Sequence, residues 1–150
     1  MKKETLLGRI APRGLICFTC AASNDGVIQD HGRELLKHVE GFDVYAKKLS
    51  VYEQRLKKYP AFAEVLQLLS EAGCDGCRDG VCRFPGCEIA PCVKEKGHDF
   101  CFECSAFPCD KADFEPLLKP KWLKANARMK EIGAEAFFNE VKDKSHYAAL

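Results

Sequence analysis

Long apolar runs, an excess of one charge and histidine are all absent or scarce in this sequence. Lysine and arginine number 23 and aspartate and glutamate 22, so the formal net charge is +1 and gives no preference for nucleic acid, anionic membranes or acidic substrates. No apolar run approaches the roughly 18 residues of a membrane-spanning helix. Near the N-terminus the apolar stretch is only Leu6-Leu7, which is too short for a signal peptide. We therefore expect a cytoplasmic protein that does not enter a membrane.

Cysteine, by contrast, is abundant, with ten in 150 residues. A disulfide framework and a metal framework are the two physical explanations for so many thiols. The lack of a secretion signal favours metal, since a reducing cytosol keeps thiols free and paired free thiols bind ions. Residues 74–87 contain three glycines, one proline and little apolar surface, so they need covalent or coordinate bonds to become ordered.

The cysteine spacing is typical of thiolate metal sites. From Cys74 the order is C-x2-C-x4-C-x4-C-x4-C-x8-C-x2-C-x4-C, and a separate C-x2-C lies at Cys17 and Cys20. Each C-x2-C places two sulfurs on one tight turn, where they can share one tetrahedral ion. The predicted metal ligands are all ten cysteines: Cys17, Cys20, Cys74, Cys77, Cys82, Cys87, Cys92, Cys101, Cys104 and Cys109.

The last eight of these cysteines are enough for two sites of four thiolates each, so we expect two zinc ions. The simplest partition takes Cys74, Cys77, Cys82 and Cys87 for one site and Cys92, Cys101, Cys104 and Cys109 for the other. The N-terminal pair could instead join Cys101 and Cys104, or Cys74 and Cys77, and displace two local ligands. The spacing predicts the ligand set and leaves its partition open.

Zinc is the metal that this ligand set favours. All-thiolate sites with spacings of two and four residues suit tetrahedral zinc. The bacterial ferredoxin run C-x2-C-x2-C-x3-C and the plant-type C-x4-C-x2-C order are both absent from the sequence. An iron–sulfur cluster is kept as the alternative cofactor.

Of the four histidines, only His98 lies among the cysteines. It is a candidate for an alternate metal ligand or for a hydrogen-bond donor to one. A catalytic pair of Cys101 and His98 is disfavoured, because a thiolate bound to zinc among other cysteines is not free to attack a substrate. We therefore do not expect a conventional enzyme, and we assign no catalytic residue.

Residues 24–72 lack cysteine and have helical periodicity. Asn24 or Asp25 can cap a first helix, Asp43 a second, and Pro60 can open a third. The apolar faces are Ile28, Leu35, Leu36 and Val39 in the first, Tyr45, Leu49, Tyr52, Leu56 and Tyr59 in the second, and Phe62, Val65, Leu66 and Leu69 in the third. We expect these faces to form packed core.

The C-terminal part repeats this pattern after Pro120, with a break at Gly133. Its apolar positions are Trp122, Ala125, Met129 and Ile132, then Phe137, Phe138 and Val141. The predicted fold class is mainly α, a small helical domain with irregular cysteine-rich zinc-bound loops and little strand beyond a short hairpin near a cysteine pair. We expect one domain, 1–150, containing an N-terminal C-x2-C at 10–23, a helical core at 24–72, a cysteine-rich metal segment at 74–109 and C-terminal helices at 110–145.

Several segments resemble a prokaryotic cysteine-rich family that is catalogued as a domain of unknown function and expected to bind zinc. They are IAPRGLICFTC at 10–20, CDGCR at 74–78, CVKEKG at 92–97, FCFECSAFPC at 100–109, WL at 122–123 and KEIG at 130–133. The resemblance implies a compact zinc protein with no established reaction. The family often has a cysteine where this chain has Arg13. The departure leaves open whether Cys17 and Cys20 bind metal alone or complete a site built from later cysteines.

Two classes of function follow from these observations. The first is a zinc protein whose metal is mainly structural and which presents a surface to a partner, a protein rather than nucleic acid. Two basic stretches, one at Lys47, Lys48, Arg55, Lys57 and Lys58 and one at Lys119, Lys121, Lys124, Arg128 and Lys130, are typical of solvated helix faces. The alternative is a redox protein that uses an iron–sulfur cluster or the thiols of Cys17 and Cys20.

Overall fold

A computed structural model describes residues 1–78, 87–111 and 118–148, so the predicted ligand Cys82 lies outside the described residues. The described α-helices are α1 Lys3–Arg9, α2 Val27–His38, α3 Phe42–Leu49, α4 Tyr59–Glu71, α5 Ile89–Glu95, α6 Leu118–Ile132 and α7 Ala134–Val141. Two 3₁₀ helices span Gln54–Lys58 and Cys101–Glu103. One antiparallel bridge joins Ile10 to Ile16, just before Cys17. The mainly helical fold class is confirmed.

The chain divides into two compact units. The first, called here the cysteine unit, is Met1–Cys20 together with Cys74–Leu150, and it contains every described cysteine. The second, called the helical unit, is Ala21–Gly73. The expectation of a single domain over residues 1–150 stays a prediction.

The core of the cysteine unit lies on the apolar faces of α6 and α7, as the periodicity predicts. Trp122, Ala125 and Met129 are buried on α6, and Phe137, Phe138 and Val141 are buried on α7. Ile132 is only partly buried and packs against this core from outside. Ile10, Ile16 and Phe100 complete the cluster. The core therefore joins the C-terminal helices to the segments that carry Cys17 and Cys101.

In the helical unit, α2 packs against α4. The two helices approach closely at Gly32, where an added Cβ would lie 3.2 Å from the backbone nitrogen of Ser70. Gln29 is buried between them, and its Nε2 donates a hydrogen bond to the carbonyl of Glu71 at 3.0 Å. A small residue and a satisfied amide thus set the contact between the two helices.

The prediction of the second helix of this unit was wrong in the length of the helix and in the face that is buried. The helix α3 ends at Leu49, and a 3₁₀ helix follows after a turn. The carboxylate of Glu53 accepts the backbone N–H of Arg55 at 3.0 Å and so starts a new element, which competes with continuation of α3. Tyr45 and Tyr52 are 63% and 88% exposed.

Four other side chains that were expected in the core of the helical unit are also exposed. They are Leu35 on α2, Leu49 on α3, and Phe62 and Val65 on α4. On α4 the buried apolar residue is Leu66. The face of α4 that meets α2 is narrower than the apolar stripe of the sequence, so part of the stripe is left in solvent.

Candidate metal centre

The first group of cysteines forms around the N-terminal C-x2-C. The short hairpin at 10–16 leads into Cys17, whose backbone N–H donates to the carbonyl of Arg9 at 2.8 Å. The N–H of Cys20 donates to the carbonyl of Cys17 at 2.9 Å, which closes the turn between the two thiols. These bonds hold both sulfurs on one side of the cysteine unit.

Cys74 and Cys77 come to this same turn. The thiol of Cys17 lies within electrostatic range of Cys20 and Cys74. Cys17 and Cys77 both line one cavity of about 260 Å³. Burial, and then the neighbouring Cys20 and Cys74, raise the pKa of Cys17 to about 11. Of the partitions that the spacing left open, this placement matches the one that joins the N-terminal pair to Cys74 and Cys77.

The second group forms around the 3₁₀ helix that starts at Cys101. Cys104 donates its backbone N–H to the carbonyl of Cys101 at 3.1 Å, so this C-x2-C is also a closed turn. Burial raises the pKa of the Cys101 thiol to about 11, a hydrogen bond from Trp122 opposes the rise, and Cys109, Cys92 and Cys104 add to it. Three other thiols therefore lie within electrostatic range of Cys101.

Lys96 supplies positive charge to this second group. Its Nζ donates to the sulfur of Cys104 at 3.0 Å. This hydrogen bond lowers the pKa of Cys104, and Lys96 also lies within electrostatic range of Cys92 and Cys109. A lysine at this position favours the thiolate form of its neighbours.

The remaining cysteine of the described residues, Cys87, packs beside the apolar cluster of Ile89, Val93 and Trp122. This contact places it near the second group of thiols. His98, the candidate alternate ligand, has its Nδ1 4.0 Å from the carboxylate of Glu103.

Within 1–78, 87–111 and 118–148, no three cysteine, histidine, aspartate or glutamate side chains converge closely enough to hold an ion. The donor chemistry of each group still fits zinc, because each group contains a C-x2-C pair with further thiols in its electrostatic range. Metal binding would have to draw these sulfurs closer to one another.

Sequence reasoning missed Arg78, which joins the surroundings of the two groups. Its guanidinium donates to the carbonyls of Leu7 at 2.9 Å, Asp99 at 2.7 Å and Ile10 at 3.2 Å. Its Cζ lies 4.9 Å from the centre of the Phe100 ring. Arg78 directly follows Cys77 and binds next to Cys101, so one side chain ties the first group to the second. Its position after a cysteine was the only signal in the sequence.

Asn126 was also missed, although a polar residue beside the apolar stripe of α6 is a usable signal. It is fully buried. Its Nδ2 donates to the carbonyl of Arg13 at 2.8 Å, and its Oδ1 accepts the N–H of Phe102 at 3.1 Å. One amide thus holds the N-terminal hairpin and the Cys101 turn on the same helix.

The C-terminal residues lie against the first group. The Nδ1 of His146 is 2.7 Å from the carbonyl of Ile16, and the hydroxyl of Tyr147 is 3.9 Å from the sulfur of Cys20. Burial lowers the pKa of His146 from its usual 6.5, and the hydrogen bond to Ile16 opposes that shift. His146 is thus partly buried beside the first group.

The comparisons with known proteins give one match. The family described as "Protein of unknown function (DUF3795)" matches residues 9–114. The chain belongs to this family. The match contains all ten cysteines, so the resemblance to a domain of unknown function is confirmed, while zinc binding is not part of the family's description. No curated protein and no solved structure matches the chain. In this DUF3795 chain, the described helices include none with the length and apolarity needed to cross a membrane.

Proposed function

We propose that this chain is a zinc protein in which two groups of four thiolates each hold one structural ion. Cys17, Cys20, Cys74 and Cys77 form the first site, and Cys92, Cys101, Cys104 and Cys109 form the second. The observation that supports this partition most directly is the position of Cys17 beside both Cys20 and Cys74, which are 54 residues apart in the chain. Zinc would hold these sequence-distant turns together.

The chemistry of both groups supports zinc over a harder cation. Thiolates are soft ligands, and carboxylates and carbonyls are what magnesium and calcium prefer. A structural zinc site contributes on the order of 10 kcal/mol to folding, because the site does not exist in the unfolded chain. The glycine-rich segment after Cys74 has little apolar surface of its own to offset the entropy lost on ordering. In this proposal the free energy of zinc binding offsets that loss.

A stable metal-bound unit of this kind serves as a scaffold, and we propose that the chain presents a surface to a protein partner. The sulfurs are assigned to zinc and are not available as nucleophiles in this proposal.

The test is metal analysis of protein purified without added metal and without a metal-affinity tag, together with its visible spectrum. We expect about two zinc ions per chain and no colour. Iron with acid-labile sulfide and a brown absorbance would overturn the proposal in favour of an iron–sulfur protein.

Paired variants test the partition. The double variant Cys17→Ser/Cys20→Ser should lose one zinc, and Cys87→Ser should keep both. If the site were instead built from Cys74, Cys77, Cys82 and Cys87, the two results would be reversed. Retention of both ions by the double variant therefore contradicts the proposed first site.

A further inference from the structure

Exposed apolar side chains are concentrated in the helical unit. Among the described residues it contains nine of the eleven large hydrophobic side chains that are exposed. Five of the nine fall in one short stretch that covers α3 and the turn after it: Val44, Tyr45, Leu49, Val51 and Tyr52. An apolar surface of this density on a soluble protein is typical of a docking site.

A groove lies beside this stretch. Residues of α3, of the 3₁₀ helix Gln54–Lys58 and of the start of α4 line a cavity of about 430 Å³. Ala46, Leu56 and Pro60 contribute apolar surface, and the charged residues of the lining are Lys47, Lys57 and Asp43. Its volume is within the roughly 300–1,000 Å³ of pockets that hold organic groups, so it can accept a bulky apolar side chain.

Basic residues outnumber acidic ones in the part of the chain that forms this groove. Residues 42–60 contain five basic side chains and only two acidic ones, Asp43 and Glu53. Glu53 is already engaged by Arg55, whose Nη2 lies 2.7 Å from its carboxylate. The rest of Ala21–Gly73 has two basic and six acidic residues, so the positive charge belongs to the apolar stretch and its surroundings.

We propose that α3 and the 3₁₀ helix after it form a docking surface for an acidic amphipathic helix of a partner protein. Helix-in-groove recognition uses apolar anchors at every third or fourth position, and the groove and the exposed aliphatic side chains receive them. Acidic residues on the flanks of that helix would face the lysines. The proposal names the surface and the partner class of the function proposed above, and it rests on the partner-binding part of that function.

Two other occupants fit less well. A second copy of this chain would place one positive face against another, which costs free energy. A nucleic acid would meet the lysines with its phosphates but would leave the aliphatic side chains of Val44, Leu49 and Val51 without partners.

The experiment measures binding of two synthetic helical peptides to the full chain by fluorescence anisotropy. The acidic peptide has leucine and phenylalanine at every third and fourth position with glutamate and aspartate elsewhere. The control peptide keeps the apolar positions and replaces the acids with lysine. We expect saturable binding of the acidic peptide that weakens with salt, and at least about tenfold weaker binding of the basic one.

Variants locate the site. Lys47→Glu/Lys57→Glu should weaken binding of the acidic peptide about tenfold, and Lys130→Glu, an exposed lysine on α6, should leave it unchanged. Leu56→Ser, in the lining of the groove, should also weaken binding. Circular dichroism of each variant checks that it is folded.

Several outcomes overturn the proposal. Three concern the peptides: the chain binds both with equal affinity, binds neither at millimolar peptide, or responds equally to the groove and α6 substitutions. Two concern other partners: the chain binds a single-stranded RNA oligonucleotide more tightly than the acidic peptide, or forms a dimer that the groove substitutions dissociate. Each of these results would overturn the proposal. Zinc content is measured on the same samples. Two zinc ions without peptide binding would refute the docking surface alone, and peptide binding without zinc would refute the metal sites alone.

Discussion

Replacing Asn126 with alanine should destabilise the cysteine unit more than any surface substitution. The side chain is fully buried and joins three carbonyl or amide groups through two polar atoms. In Asn126→Ala the N–H of Phe102 and the carbonyl of Arg13 both lose their hydrogen bond to the Asn126 amide. The carbonyl of Trp122 loses least, because it also accepts the backbone bond of the helix.

The expected loss of stability in Asn126→Ala follows from those two lost hydrogen bonds. A buried donor or acceptor left without a partner costs about 1–3 kcal/mol. Two of them cost about 2–6 kcal/mol, and the gain in helix propensity from asparagine to alanine returns at most about 0.7 kcal/mol. Against a typical stability of about 5–15 kcal/mol, the loss is large enough to measure in urea.

The matched control is Asn139→Ala, the same substitution at an exposed position of α7. It should change the free energy of unfolding by about 0.5 kcal/mol or less. Hydrogen exchange supplies a local reading, since the amide of Phe102 should exchange faster in Asn126→Ala than in the wild type. Equal stability of the two alanine variants, or an unchanged amide of Phe102, would refute the role assigned to Asn126.

Three further substitutions have expected outcomes in urea unfolding. Arg78→Lys should lower the free energy of unfolding by about 2–4 kcal/mol, because lysine cannot reproduce three bonds from one planar group. Gly14→Ala should lower it by about 1–3 kcal/mol, since φ is +86° and an added Cβ would lie 2.9 Å from the Met129 side chain. Wild-type stability should also fall as the pH drops below about 6.5, because the partly buried His146 binds its proton less readily when folded than when unfolded, and His146→Gln should reduce that decline.

Each of these has its own control. Arg55→Lys changes an exposed arginine and should have little effect, so a similar loss in both would argue against a special role for Arg78. Gly8→Ala, where an added Cβ meets nothing within 4 Å, should stabilise α1. His31→Gln removes an exposed histidine and should leave the pH dependence unchanged. A decline below pH 6.5 that survives in His146→Gln would exclude His146 as its source.

The helices that sequence predicts best are those with sharp local boundaries. Periodicity between Pro120 and Gly133 matches α6 closely, and its buried face is the expected one. The prediction of one long helix after Asp43 was wrong, because the same periodicity is compatible with a break in the helix. The side chain of Glu53 caps a new 3₁₀ helix, and hydrophobic periodicity does not detect such a cap. Pattern alone also overestimates burial, since Tyr45 and Tyr52 fit an apolar face and are exposed.

The pairing of cysteines could not be derived from spacing, because it depends on contacts between distant parts of the chain. Cys17 lies near Cys74 in a fold where the hairpin at 10–16 packs on α6 and Arg78 binds the carbonyls of Leu7 and Ile10. Such contacts leave no periodic trace in a single sequence. The cysteines are readable from the sequence, and their grouping in space required the fold.

The helical unit is inserted between the two C-x2-C pairs of the proposed first site. A zinc ion bound by Cys20 and Cys74 would close a loop of 53 residues, Ala21–Gly73, worth about 4 kcal/mol by the chain-entropy relation for cross-links. The ends of that loop are also tied without metal, because the Oδ1 of Asn24 accepts the N–H of Gly73 at 2.8 Å.

Chelation of the metal should therefore affect the two units unequally. Amides of the Cys17 and Cys101 turns should lose protection from hydrogen exchange, because the sulfurs that order them are released. Amides within α2 and α4 should stay protected, since their contact at Gly32 and Gln29 contains no metal ligand. If α2 and α4 lost protection in parallel with the cysteine turns, closure by the Asn24–Gly73 bond and helix packing would be insufficient. The fold of the helical unit would then depend on the metal.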